Sequence, residues 1–300
     1  MRRLVAEWER QKALLVAYPD KDGDWGKYYG QITEFYEEFI GVVKKYQDVV
    51  LIKDKINDTW ARDYGPITVM DGGKPRLLDF TFNGWGLKYP ANLDNMVNRR
   101  LFNTKKIGFV LEGGSIESNG DGVLMTTSSC LLEENRNPHM SKEDIENFLK
   151  NIFNLKEVLW LNHGYLEGDD TDGHIDMLAR FVAKDKIAYI KCDDKKDPHY
   201  GELKKMEEEL EKTPFTLIPL PWVGAKFHKK RRLPASYANF VIINGAVIVP
   251  VYGDTNDEEA LKIFKKLFPT RDIIALNAMT LIKEGGSIHC SCMNLYEGER

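Results

Sequence analysis

Cysteine is scarce, with four residues in 300, Cys130, Cys192, Cys290 and Cys292. So few thiols, unevenly spaced in a chain this long, exclude a disulfide framework and predict reduced cysteines. The chain also lacks any apolar run near the ~20 residues that a membrane span requires. Its opening, MRRLVAEWERQKALL, has apolar positions broken by Glu7, Glu9, Arg10, Gln11 and Lys12, which leaves no signal-peptide core and makes the cytoplasm the expected compartment. No charge of one sign dominates. Lys and Arg number 42 against 46 Asp and Glu, a formal charge of −4, so nothing gathers nucleic acid or an anionic membrane surface. A neutral or cationic small molecule is the easier partner.

Hydrophobic residues make up 43% of the chain, enough core for one large or two ordinary domains. No linker or low-complexity segment interrupts it, so one domain over residues 1–300 is expected. Strand-like runs occur at 13–17, 49–53, 67–70, 122–127, 175–182, 186–191, 240–243 and 246–251. Turn signals between several of them (Asp71-Gly72-Gly73, Asn119-Gly120-Asp121-Gly122, residues 183–186 and Asn244-Gly245) favour hairpins. Helical periodicity marks 29–46, 141–153, 200–212 and 256–267, with Ser141 and Asp144 forming a helix-start box. Hairpins alternating with single helices suit a repeated β-β-α-β unit better than a doubly wound parallel sheet. The pentapeptide Glu-Gly-Gly-Ser-Ile supports duplication, since it stands at 112–116 and again at 284–288.

Several segments could carry chemistry, each with a plainer reading beside it. WARDYGP at 60–66 enters a strand, but Asp, Gly and Pro also make ordinary turns and Trp60 could be core. GDDTDGHID at 168–176 is acid-rich like a calcium loop, yet lacks the EF-hand spacing and closing Glu. In a strand, His174 and Asp176 would share a face and could together move protons and bind a cation. In GGSIHCSC at 285–292, strand alternation would put Cys290 and Cys292 on one face and His289 on the other. A zinc site from these cysteines with His174 and Asp176 is a weak reading without Cys-x-x-Cys spacing, and a nucleophilic cysteine with a distant histidine is also weak alone. The basic run at 226–232 reads as a solvated loop before a nucleic-acid arm. Ser236, Tyr237 and Asn239 in LPASYANF could line a site or satisfy backbone groups.

Taken in order, WARDYGP, EGGSI, DGHID, RLPASYANF and GGSIHC resemble the agmatine deiminase branch of the peptidyl-arginine deiminase family, within the guanidine-modifying superfamily. The resemblance spans roughly residues 60–290. It implies an α/β fold, a five-fold pseudosymmetric α/β propeller of repeated ββαβ units, with the site on its axis. It implies Cys290 as nucleophile, His174 as general acid and base, Asp63 and Asp176 as the carboxylates gripping a guanidinium, and Glu112 as the carboxylate orienting His174. Glu284, in the second copy of the pentapeptide, receives no role. A small cationic guanidine is the implied partner, with no metal or organic cofactor, no nucleic acid, no membrane, and a homodimer as the frequent state of relatives. Agmatine carries a second positive charge, for which Trp60, Asp169 and Asp170 are the candidate contacts by proximity to the motifs. The alternatives are deimination of peptidyl or free arginine and a catalytically silent guanidine-binding protein. The silent reading is prompted by departures from the family's GGGNIHC, where Ser287 replaces Asn and Cys292, Met293 and Asn294 follow.

Overall fold

In the computed structural model, which describes residues 2–298, one sheet is built from both ends of the chain. Strand Gln11–Ala17 lies between Cys292–Tyr296, antiparallel with Val16 opposite Cys292, and Asp48–Ile52, parallel with Ala13 opposite Asp48. Leu14, Leu15 and Val16 are fully buried, as the apolar run of a central strand requires. The connection from Gln11–Ala17 to its parallel neighbour runs through helix Tyr29–Val43, which buries Ile32, Phe35, Tyr36, Phe39, Ile40 and Val43 at three- and four-residue spacing.

Four further sheets repeat this plan of an antiparallel pair, a helical crossover and a parallel third strand. They contain Ile67–Asp71, Lys74–Thr81 and Thr104–Val110; Ile116–Ser118, Val123–Thr127 and Glu157–Leu161; Ala179–Ala183, Lys186–Ile190 and Thr216–Leu220; and Val241–Ile243, Ala246–Val251 and Asp272–Asn277. Strand Arg2–Leu4 adds an edge to the first of them. All four turns named from the sequence join hairpin strands. Helix Lys142–Phe153 starts at Ser141 with the expected capping box, and Ile145, Leu149 and Phe153 form its buried face. One large buried cluster extends from Leu4 to Leu295.

Two readings from the sequence change. The expected strand at 175–182 is a 3-10 turn, Ile175–Met177, followed by strand Ala179–Ala183, so His174 and Asp176 lie on a turn and not on one strand face. Likewise the C-terminal strand starts only at Cys292, leaving His289 and Cys290 in the turn before it. Both turns carry buried polar side chains, His174 and Asp176 on the first and His289 and Ser291 on the second. No described helix is long and apolar enough to cross a membrane.

Candidate active site

Each motif reaches the site through a turn at the end of a strand. The helical turn Ala61–Tyr64 carries Asp63 and is tied to the cysteine loop by Arg62, whose amide donates to the Cys290 carbonyl at 3.1 Å. Its guanidinium donates to Asn294 Oδ1 at 2.7 Å and to the His289 carbonyl at 3.3 Å. The two EGGSI copies supply close approach. A Cβ on Gly114 would stand 2.7 Å from His174 Nδ1 and 2.8 Å from Asp63 Oδ1, while one on Gly286 would fall 2.6 Å from the Trp60 ring. Glycine there lets backbone lie directly against the polar centre and against the indole.

A cavity of about 360 Å³ opens over this centre. Trp60, Asp63, Asp169, Asp170, His174 and Cys290, all singled out from the sequence, line it together. So do Asp24, Asp58, Trp85 and Tyr89, which sequence reasoning missed because they lie outside the motifs, Arg231, from the basic run read as a solvated loop, and Glu284, which was left without a role. Six carboxyl side chains thus face one guanidinium, a wall that attracts a cation and holds it beside three aromatic rings. Asp170 accepts from the Tyr89 hydroxyl, and its carbonyl accepts from Lys88 at 2.7 Å. Asp169 caps its own loop, accepting from the Thr171 amide at 2.9 Å and hydroxyl at 2.6 Å.

At the base, Asp63 takes one donor on each oxygen, the Gly114 amide and the Trp85 indole N–H, both at 2.9 Å. His174 Nδ1 lies 3.6 Å from Asp63 Oδ1, and His174 Nε2 is buried without a hydrogen-bond partner. Asp176 Oδ2 is 3.8 Å from the Cys290 sulfur and 2.7 Å from His289 Nδ1, while its Oδ1 is buried and unpartnered. Asn239 closes the group, donating to the Cys290 sulfur at 3.3 Å and accepting from the His289 amide at 2.9 Å. Buried polar atoms that lack partners beside a cavity are places where a ligand completes the hydrogen bonding.

The fields follow from burial. Desolvation lifts the Asp63 carboxyl to about 6 against the opposing pull of His174. Burial alone would discharge His174, but Asp63 holds it charged well above the ordinary imidazole range. Burial, then Asp176 and Asp63, push the Cys290 thiol well up, with Asn239 working in the other direction. In the unliganded site Cys290 is therefore a thiol, and an entering cation would favour its thiolate.

Glu112 is fully buried, but both its oxygens receive Arg136 Nε at 3.0 Å, and Arg136 also donates to Asp172 at 2.7 Å. It acts on His174 through nearby charge and not through a hydrogen bond. Among the described residues, two buried trios could present metal ligands, Glu112 with Cys130 and His174, and Glu7 with Glu117 and His289. Arg136 pairs with the carboxylate of the first and Arg180 with those of the second, and these neighbouring cations oppose a metal ion. Cys292 faces the Ile288 and His289 carbonyls. In the basic run, Lys226 pairs with Asp254 at 3.0 Å and Arg232 with Asp197 at 2.6 Å, leaving Arg231 in the cavity wall.

The model of the Porphyromonas-type peptidyl-arginine deiminases matches residues 3–295. The chain belongs to that family. An agmatine deiminase of Pseudomonas syringae pv. syringae is 31% identical to it, covering 96% of this chain and 93% of its own. A C. jejuni agmatine deiminase solved with substrate bound is 44% identical, with a TM-score of 0.98 over 100% of this chain and 98% of that one. Beyond the family, a dimethylarginine dimethylaminohydrolase shares the fold at 13% identity, with a TM-score of 0.61 over 95% of this chain and 100% of that one. Such a match shows a shared mixed α/β fold.

Proposed function

We propose that this chain is an agmatine deiminase, hydrolysing the guanidinium of agmatine to N-carbamoylputrescine and ammonia, a step toward putrescine. The observation that carries the reading is the cavity itself, in which Cys290, His174 and Asp63 meet at the base of an acid-lined wall. Family membership and the similarity to agmatine deiminases support it.

A guanidinium is planar, cationic and resonance-stabilised, so its hydrolysis needs counter-charge to hold it and a strong nucleophile to break the delocalisation. Asp63 and Asp176 accept its N–H groups, the geometry in which carboxylates bind guanidinium strongly. The bound cation and charged His174 stabilise the Cys290 thiolate. Cys290 attacks the central carbon, forming the C–S bond; His174 gives its proton to the departing amino group and ammonia leaves. Water, deprotonated by His174, then attacks the thiouronium carbon, the C–S bond breaks, and the ureido product is released. The acid wall of Asp58, Asp170 and Glu284 surrounds the distal ammonium, and that cation favours ionisation of Asp58 and Glu284, whose carboxyls burial raises.

The five sheets of common plan support a five-fold pseudosymmetric α/β propeller in a single domain, with the strand-end turns as the shared rim of the site. Arginine deimination is a second reading favoured by one observation, since Arg231 in the cavity wall could pair with an α-carboxylate.

Labelling tests the centre of the proposal. A cationic haloacetamidine should alkylate Cys290, found by peptide mass analysis, and Cys290→Ala should lose ammonia release while keeping its melting transition. Undiminished turnover in that variant would refute the nucleophile assignment.

A further inference from the structure

His289 precedes Cys290, yet it does not line the substrate cavity. With Glu7, Arg62 and Glu117 it lines a separate cavity of about 70 Å³. Its ring is held on both sides, Nδ1 lying 2.7 Å from Asp176 Oδ2 and Nε2 lying 2.7 Å from Glu7 Oε2. A neutral imidazole offers one donor and one acceptor, whereas here both ring nitrogens face carboxyl oxygens. The three groups must therefore share two protons in the positions facing the ring. Burial and the guanidiniums of Arg180 and Arg62 disfavour charge on the ring, and the two carboxylates favour it. With both protons on the ring the two contacts are charge-assisted; with one on a carboxyl, that contact is a neutral O–H···N bond and the other stays charge-assisted, and in either case both are short and buried.

Glu7 is itself fixed. Its Oε1 accepts the Ile242 amide at 2.6 Å and its Oε2 accepts Arg180 Nη2 at 2.6 Å. Arg180 is fully buried, pairs with Glu117 and stacks over Phe240 at 4.7 Å. This rigid chain of contacts ends on Asp176, whose Oδ2 is tied down while Oδ1 remains buried without a partner. A buried acceptor left open costs free energy until something donates to it.

We propose that His289 is a positioning residue: pinned by Glu7 through Nε2, it holds Asp176 by Oδ2, the oxygen 3.8 Å from the Cys290 sulfur, and so fixes the carboxylate for the guanidinium N–H groups of the substrate. The inference rests on the reading that a guanidinium occupies the main cavity. It gives the N-terminal segment a part in recognition, since Glu7 lies 282 residues from His289 in the sequence.

Calorimetric binding of agmatine to a Cys290→Ser background separates recognition from turnover. Glu7→Ala should weaken binding about tenfold or more, the usual effect of removing the partner that orients a binding group. Glu7→Gln, whose amide can still hydrogen-bond Nε2, should recover most of that loss, a rescue that generic destabilisation would not produce. His289→Phe keeps the ring volume without the hydrogen bonds and should weaken binding as much as Glu7→Ala; it carries the test if Glu7→Ala does not give a melting transition. Parental affinity in folded His289→Phe or Glu7→Ala, or a Glu7→Gln as weak as Glu7→Ala, overturns the proposal. Arginine is the second probe. If the background binds arginine but not agmatine, the agmatine reading falls, and the same variants are judged by arginine affinity.

Discussion

Asp63 shows most clearly how burial and charge are balanced in this site. It accepts from Gly114 and Trp85, faces His174, and carries a carboxyl raised to about 6. Asp63→Asn keeps the shape but removes one of the two carboxylates on the bound cation and the largest counter-charge on His174. It should lower kcat/KM by about 3 kcal/mol or more, roughly two orders of magnitude, in a steady-state ammonia assay. An unchanged kcat/KM would remove Asp63 from recognition. The raised value also fixes a pH limb. Asp63 is ionised above about 6 and becomes neutral as the pH falls through that value, so the free enzyme loses its guanidinium counter-charge on the acid side. The profile of kcat/KM should therefore fall below about pH 6, whereas an ordinary aspartate would delay the fall by about two units. The sign for folding is opposite. An aspartate whose folded value is raised costs stability where it is ionised, so this group alone favours the folded state as pH falls through 6 toward its unfolded value.

Among the elements, the turns that end strands do the chemistry and the strands position them. Gly114 is the sharpest case, because a Cβ there would meet His174 Nδ1 and Asp63 Oδ1 inside contact distance. Gly114→Ala should lower kcat by about a hundredfold or more, as displacement of reacting groups by a fraction of an ångström to 1 Å does. Gly30→Ala, on the exposed face of helix Tyr29–Val43 with nothing near its Cβ, is the control and should keep full activity. Equal kcat in both would show that the EGGSI glycines serve the fold alone. Elsewhere the elements follow local rules, and Ser141→Ala should cost about 1 kcal/mol in chemical denaturation by removing the capping box of helix Lys142–Phe153. These rules explain what the sequence revealed. Hairpins with Asn-Gly or Asp-Gly turns and helices with capped, periodic faces were legible. Of the parallel third strands, Asp48–Ile52 was legible as the run 49–53, whereas Thr104–Val110 and Asp272–Asn277 were not, because they mix exposed and half-buried residues without clear alternation. The turns at 174–177 and 285–291 read as strands because apolar residues there are buried for the sake of the site and not of a ladder.

At the level of the whole molecule, the last strand, Cys292–Tyr296, pairs with strand Gln11–Ala17, and Glu7 in the segment before that strand meets His289, so the cysteine turn is braced from the N-terminal segment. Motif order brought Cys290, His174, Asp63 and Asp176 into view from the sequence, and one cavity now gathers three of them with the fourth beside Cys290. The acid wall was only partly legible. Asp169 and Asp170 stood next to a motif, whereas Asp24, Asp58 and Glu284 arrive from separate segments whose meeting no local pattern records. That wall bears on substrate choice, since its six carboxyl groups against one guanidinium suit a ligand with a cation at each end better than one with a carboxylate. The most direct measurement is parallel turnover of agmatine, free arginine and a peptidyl arginine by the purified protein, with products resolved by mass. The account predicts N-carbamoylputrescine and ammonia in equal amounts from agmatine, with kcat/KM at least about tenfold above either arginine substrate, a difference of about 1.4 kcal/mol. Citrulline or peptidyl citrulline formed faster than N-carbamoylputrescine would contradict it.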